Sequence, residues 1–405
     1  MKIVEINAVP YGSTGKIMFS VADILKKQGH EVFCTSGFSW TKCQRDDYVI
    51  TSGFFLKSIH IALATLTGMN GCFSVFPTGR LIKRLKAFQP DVIHLHNLHG
   101  NYVNLPMLFS YIKRYHIRVV WTLHDCWAIT GQCPHFTMVK CDKWKRGCYQ
   151  CPQYREYPAT IVDCTKTMWK LKRKWFNGVG DMTIVTPSQW LADLVKESYL
   201  RDYHVKVIYN GIDLSVFKPT NSNFREKYGI SVHKQILLGV AYGWDKRKGL
   251  DVFVELANRL DNEKYQIVLV GTDDAVTTQL PENIITINRT QNQQELVEVY
   301  TAADLFVNPT REEVLGLVNI ESLACGTPVI TFRSGGSPEC IDNTCGGVVD
   351  CDDVDAMEQE IVRICSEKPY PVEACLERAQ MFNMSERFKE YYLLIEEKCN
   401  ETIFS

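Results

Sequence analysis

The 405-residue sequence contains no uninterrupted apolar run long enough to cross a membrane, so membrane-spanning helices do not organise this chain. It also lacks an excess of either charge. With 45 basic residues against 46 acidic ones, no global field draws it to nucleic acid. Repeats and low-complexity tracts are absent too. Glu5 interrupts the first apolar run, unlike a signal peptide, so the expected compartment is the cytoplasm. Cysteine is plentiful at sixteen, but chain size and the missing leader favour free thiols or metal ligands over a disulfide framework.

A P-loop is missing as well. In GxxxxGK[ST], Gly15 and Lys16 of the GSTGK stretch would require glycine at 10 and a hydroxyl at 17, where the chain has Pro10 and Ile17. That disfavours an NTPase. What remains is a strand, KIVEINAV, a turn of small residues, and a helix with Ile17, Val21, Ile24 and Leu25 at helical spacing. A helix N-terminus in that context can face an anion.

Strand-like runs alternate with amphipathic helix-like runs along nearly the whole chain, the pattern of parallel sheets with crossover helices. KIVEINAV, HEVFCTS, DVIHLHN, IRVVWTLHD and DMTIVTPS form one series. KVIYNGID, KQILLGVAYG, YQIVLVGT, NIITIN, DLFVNPT and TPVITF form a second. A chain of this length exceeds a single core, so the expectation is an α/β protein of two doubly wound domains. The boundary should fall near residues 192–206, and ligands should bind beyond the carboxyl ends of the strands, in a cleft between the domains.

The stretch VNPTREEVLGLVNIESLACGTPVITF is the most informative. It reads as a strand, a loop, and a helix from about Gly316 to Cys325, stopped by Gly326 and Pro328. Glu313 precedes the helix and Glu321 lies within it. Between these carboxylates fall the N–H groups of Gly316, Leu317 and Val318, which suit a diphosphate, while the carboxylates can accept from hydroxyl groups at its two ends. A nucleoside diphosphate sugar has that layout. Upstream, Arg247, Lys248 and Gly249 lie between a strand and a helix, where the basic pair can meet a diphosphate gaining charge.

These segments, RKG-LD, LVGT, ELVEVYTAADLFVNPT and the E-x7-E followed by ACGTPVI, resemble the retaining glycosyltransferases of family 4. The resemblance implies the GT-B fold of two facing Rossmann-like domains with parallel sheets. It implies an N-terminal acceptor-side domain over 1–198 with a Cys-rich insertion at 126–164, and a nucleotide-sugar domain over 199–378. A terminal helix, 379–405, should cross back to the first domain. By the same resemblance Glu321 holds ribose hydroxyls, Glu313 contacts the donor sugar and Lys248 binds the diphosphate. Ser13, Thr14 and Gly15 form the small-residue loop facing that diphosphate, and His124 matches the family histidine near the donor sugar and leaving phosphate, with Asp125 beside it to orient it. One departure stands out: the family arginine several residues before the lysine is replaced by AYGWD, and Arg247 is the residue available to supply its charge.

His94, His96 and His99 follow a strand. Alternation sends the first two to one face and the third lies in a loop, which favours hydrogen bonding on the acceptor side over a metal site. Cys133, Cys141, Cys148 and Cys151 can close a structural zinc site in an insertion with few apolar residues of its own; two disulfides or free thiols stay open as alternatives. RLIKRLKAF and TKTMWKLKRKWF are basic and amphipathic, suited to transient docking at the inner face of a membrane. The expected activity is hexosyl transfer, retaining and independent of catalytic metal. It runs from a nucleotide diphosphate sugar to a hydroxyl of a glycan or lipid-linked saccharide in polysaccharide biosynthesis. A non-catalytic sugar-nucleotide-binding subunit and a GT-B epimerase are the rival readings.

Overall fold

The computed structural model describes residues 1–40 and 43–401. The chain divides into two compact units: Met1–Tyr209 together with the chain from Phe388, and Asn210–Arg387.

The first unit holds seven strands: β1 (Lys2–Asn7), β2 (Glu31–Ser36), β3 (Tyr48–Ile50), β4 (Val92–Leu95), β5 (Arg118–Thr122), β6 (Met182–Thr186) and β7 (His204–Val207). They form one parallel sheet in the order β3-β2-β1-β4-β5-β6-β7. The second unit holds β8 (Gln235–Val240), β9 (Tyr265–Val270), β10 (Ile284–Ile287), β11 (Leu305–Asn308), β12 (Val329–Phe332) and β13 (Gly346–Val349), parallel and ordered β10-β9-β8-β11-β12-β13. Both are doubly wound α/β sheets, with buried, Val/Ile/Leu-rich central strands as expected for sheets covered on two faces.

Two short strands, β3 and β13, carry too few apolar residues to register as runs. A third, β7, belongs to the first sheet rather than opening the second series: Val205 pairs with Ile184 and Val207 with Thr186. Its pattern identifies a half-buried strand but cannot say which sheet it joins. The first unit therefore extends through Tyr209. The terminal helix Met384–Glu401 enters that unit at Phe388 and buries Phe388, Tyr391, Leu394 and Ile395. Arg118 holds it, donating to the Leu394 and Ile395 carbonyls at 2.7 and 2.6 Å. Such carbonyls at the interior of a helix already accept one backbone bond, and a guanidinium with five donors can add a second.

Strand order reverses between β1 and β4 in the first sheet and between β8 and β11 in the second. The loops leaving those strands diverge to opposite faces and open a crevice at each switch point. Residues 8–15 and 96–99 leave the first reversal; residues 241–249 and 309–316 leave the second.

Candidate functional site

In the second unit, Asp245 caps the short turn Lys246–Lys248 by accepting from the Lys248 N–H at 2.9 Å. Gly249 follows with φ +78°, and a Cβ there would sit 2.4 Å from the Pro309 carbonyl oxygen. A side chain would push the two loops apart. The result is direct: Lys248 Nζ lies 2.7 Å from Glu313 Oε2, both side chains 22% exposed. Arg247 is less closely held, with Nε 3.7 Å from Asp245.

Arg311, which no motif singles out, ties these loops together. Its backbone N–H donates to the Arg247 carbonyl at 2.9 Å, and its buried guanidinium meets Asp251 at 2.7 and 3.0 Å and Asp352 at 2.5 Å. Only the fold supplies its partners, about 40 and 60 residues away. The Gly336 N–H donates to the Glu313 carbonyl at 3.0 Å, so the loop after β12 also fixes this carboxylate. In the AYGWD stretch, Trp244 is buried against Phe253 and donates to the Val270 carbonyl at 3.0 Å.

The helix that follows is Leu317–Ala324, with Gly316 at its N-cap and no side-chain cap. Leu317 and Val318 are its first residues, and N–H groups at this position have no intrahelical acceptor. Asn319 is buried in a network, accepting from Asn308 Nδ2 at 2.7 Å and donating to Ser337 Oγ at 2.9 Å, which anchors the helix start on β11 and on the segment after β12. Glu321 accepts from the buried Tyr300 hydroxyl at 3.0 Å, leaving its carboxylate half-buried.

In the first unit, the helix Gly12–Lys27 starts after a loop pinned by Asn7, whose amide donates to Val9 O at 3.0 Å and Thr14 Oγ1 at 3.2 Å. Ser13 is exposed. Gly15 is buried, and a Cβ there would lie 2.5 Å from the Pro10 carbonyl carbon, so the loop's own backbone already requires glycine. That packing accounts for Gly15 without any ligand.

The histidines do more than expected. Glu5, His94 and His96 are fully buried on β1 and at the end of β4, brought side by side by the β1–β4 pairing. Glu5 Oε2 lies 3.0 Å from His94 Nδ1 and 2.9 Å from His96 Nε2; His94 Nε2 lies 2.8 Å from Thr122 Oγ1; His96 Nδ1 lies 3.1 Å from His124 Nε2. Burial pushes His94 and His96 down to about 3 and His124 to about 4, so all three are neutral near pH 7. Burial pushes Glu5 up, opposed by His96. Among the described residues, these Glu5, His94 and His96 atoms form a group tight enough to surround a cation. Each is already engaged in a hydrogen bond, which accounts for the cluster without one.

Asp125 does not orient His124. Its carboxylate meets His99 Nε2 at 2.7 Å and accepts from the Trp127 N–H at 2.8 Å; burial would raise it, but His99 and that N–H hold it at about 2. The partner of His124 is His96. Glu5 was legible only as an acidic residue inside an apolar strand, a signal worth a functional reading of its own.

Cys133, Cys141, Cys148 and Cys151 form no disulfide. Cys148 Sγ accepts from the Gly131 N–H at 3.1 Å. The insertion does have apolar packing: Trp144 stacks on Phe136 at 5.1 Å, and Trp169 Nε1 donates to the Trp144 carbonyl at 2.8 Å. Lys172, fully buried, sits 3.5 Å from the Trp127 ring centroid; burial brings it to about 7, with Cys148 and Cys133 opposing that shift.

The family model described as Glycosyltransferase Family 4 matches residues 15–216, and that described as Glycosyl transferases group 1 matches residues 234–367. The chain is 26% identical over 276 residues to the putative colanic acid biosynthesis glycosyl transferase WcaC of Escherichia coli K12. That match covers 65% of each chain, so this chain spans just under two thirds of that relative's length. It is 26% identical over 366 residues to a 41.2 kDa protein in the cps region of Klebsiella pneumoniae, covering 85% of this chain and 90% of that one. Anabaena HepE, solved in complex with UDP, superposes with a TM-score of 0.68 at 14% identity, over 98% of this chain and all of that one, a likeness of fold.

Proposed function

The chain belongs to glycosyltransferase family 4, and from that membership we propose that it transfers a hexose from a nucleoside diphosphate sugar to a hydroxyl of a glycan or lipid-linked saccharide, with retention at the anomeric carbon. The observation carrying this reading is the Lys248–Glu313 pair at the switch point of the second sheet, beside the N-terminus of the Leu317–Ala324 helix. A nucleoside diphosphate sugar satisfies every group there: phosphate oxygens take Lys248 and the Leu317 and Val318 N–H groups, a sugar hydroxyl donates to Glu313, and ribose hydroxyls donate to Glu321. Arg247 adds positive field at the same turn.

In the transfer, the bond between the anomeric carbon and the diphosphate oxygen breaks. The acceptor oxygen bonds the same carbon from the same face, and its proton passes to the departing diphosphate. Lys248 neutralises the charge that builds there. In the first unit, Ser13 and Thr14 at the start of the Gly12–Lys27 helix are hydroxyl donors suited to an anion. With Glu5 accepting from His96 Nε2–H, and His96 Nδ1 accepting from His124 Nε2–H, His124 keeps a bare Nδ1, an acceptor for a hydroxyl group. A neutral ring in that tautomer repels phosphate oxygens, which have no proton to give.

The test is donor binding. Nucleoside diphosphate sugars of uridine, guanosine and adenosine are each titrated against the protein by thermal shift, since a ligand of the native state raises apparent stability. One base should stand out. Glu321→Ala should then weaken the matching nucleoside diphosphate by roughly 1.5–3 kcal/mol, the range for hydrogen bonds to a charged group. Equal affinities would remove the ribose assignment, and no shift or transfer with any donor would remove the activity.

The four insertion thiols are also read as a structural zinc site, supported by the Gly131 N–H donated to Cys148 Sγ at 3.1 Å, which suits a sulfur carrying negative charge. About one zinc per chain is expected by metal analysis after reducing purification, and brief chelation of loosely bound ions should leave turnover intact. Zinc-free protein with full stability would exclude the site; turnover lost with magnesium would exclude metal-independent transfer.

A further inference from the structure

The two basic stretches that suggested membrane contact fare differently in the fold. In the helix Thr165–Phe176 the apolar positions are consumed internally: Met168, Trp169, Lys172 and Phe176 are buried. The helix Val75–Phe88 keeps Arg80, Lys83 and Arg84 exposed. The unexpected element lies between β3 and that basic helix. The helix Phe54–Thr67, FFLKSIHIALATLT, buries only His60 and Ala64 and turns almost every other apolar side chain outward. Phe55 is 73% exposed, and Phe54, Ile59 and Leu66 are exposed with it. Trp40, 79% exposed, packs against Phe54 with ring centroids 5.1 Å apart and extends the patch at one end. At the other, Thr65 O accepts from the N–H of Ile161, itself exposed. A soluble helix normally spends such residues on a core, and an exposed apolar surface of this extent marks an interaction site.

Charge selects the occupant. From Tyr48 to Pro90 there is no acidic residue, while Lys57, Arg80, Lys83, Arg84 and Lys86 are basic. Arg80 and Arg84 line one cavity with Gly53, the N-cap of the apolar helix, so the cationic groups stand beside the apolar ones. The basic helix is held against it, with Ser74 Oγ 2.6 Å from His60 Nδ1. A second copy of a face so uniformly basic would repel the first. An anionic bilayer offers both halves of the match: acyl chains for the aromatic and aliphatic side chains, phosphates for the arginines.

We propose that the Phe54–Thr67 helix, with Trp40, lies in the interface of an anionic lipid membrane, and that Arg80, Lys83 and Arg84 contact the lipid phosphates. The proposal goes beyond glycosyl transfer and rests on it only for the lipid-linked acceptor that gives membrane contact a purpose. Flotation of the full chain with vesicles tests it: phosphatidylcholine alone, and phosphatidylcholine containing about 30% phosphatidylglycerol. The chain should float with the anionic vesicles and about tenfold less with neutral ones. The Phe55→Ser/Leu66→Ser variant should lose at least about tenfold of that binding, and Arg80→Gln/Arg84→Gln should lose the preference for anionic lipid. Because all four positions are exposed, the variants should keep wild-type melting temperatures and donor-induced thermal shifts. No flotation, flotation unchanged in the apolar variant, or a dimer in solution that the apolar variant dissociates would each overturn the membrane assignment. None of these outcomes touches donor binding, so a failed surface and a failed transferase reading are told apart.

Discussion

Alanine in place of Lys248 is expected to lower kcat about a hundredfold or more, roughly 3 kcal/mol in the barrier, with a smaller change in the donor KM. The reason is when the charge appears. Before reaction, the ammonium already has a partner in Glu313 at 2.7 Å, so the ground state draws limited benefit from it. As the glycosidic bond breaks, negative charge grows on the diphosphate, and a cation held in place by the Asp245 cap and the Gly249–Pro309 contact needs no reorganisation to meet it. Arg247→Ala should have a smaller effect if its side chain only adds to the field, and a comparable one if it replaces the arginine absent from AYGWD. Steady-state kinetics on both variants, with folding checked by melting, separates these roles. Unchanged kcat in the Lys248 variant would mean that this turn is merely solvated.

The first unit should lose several kcal/mol of stability between pH 7 and pH 5. His60, His94 and His96 are buried, and burial lowers them to about 4, 3 and 3. Each is ordinarily near 6.5 when unfolded, so below that pH the unfolded chain binds protons that the folded unit refuses. The stabilisation is complete above about pH 6.5 and is lost as pH falls towards the folded values. Three such groups give about 6 kcal/mol at pH 5. Glu5 acts with the opposite sign, because its raised pKa lets the folded state keep a proton that the unfolded state releases. Glu5 offsets part of that loss, and what remains is still a large part of the stability of an ordinary domain. Urea denaturation at pH 7, 6 and 5 should show it. His60→Gln should flatten the dependence by about one proton, since His60 stands apart from the Glu5 cluster with its own bonds to Ser74 and the Gly71 N–H. A midpoint independent of pH in this range would show that these rings are protonated in the folded state.

Much of the fold was legible because parallel strands buried on both faces are largely apolar runs, as β8 and β9 are, and β1 and β4 keep that character around the polar Glu5 and His94. Short edge strands were not. Tyr48–Ile50 and Gly346–Val349 borrow their structure from a neighbour's backbone, and His204–Val207 shows strand character without naming its sheet. The candidate donor-side positions could be placed from sequence for a different reason. Glu313, Gly316 and Glu321 fall within one loop and one helix, where spacing alone sets their relation, and Lys248 belongs to a turn with its own local punctuation.

The sequence by itself determined the class of architecture, the family, and the relative placement of candidate residues that lie within a single turn or helix, because periodicity, capping and short spacing are local physics. Only the tertiary structure decided which distant groups meet. Glu5 joins His94 and His96 because β1 and β4 pair across a strand reversal, and His124 answers to His96 rather than to Asp125 because strand order outranks sequence proximity. Arg311 found Asp251 and Asp352 in the same way. The Phe54–Thr67 helix is largely apolar in sequence, yet most of its apolar side chains face outward. Burial is a property of what surrounds an element, and a pattern of apolar residues records only the element's own side of that contact.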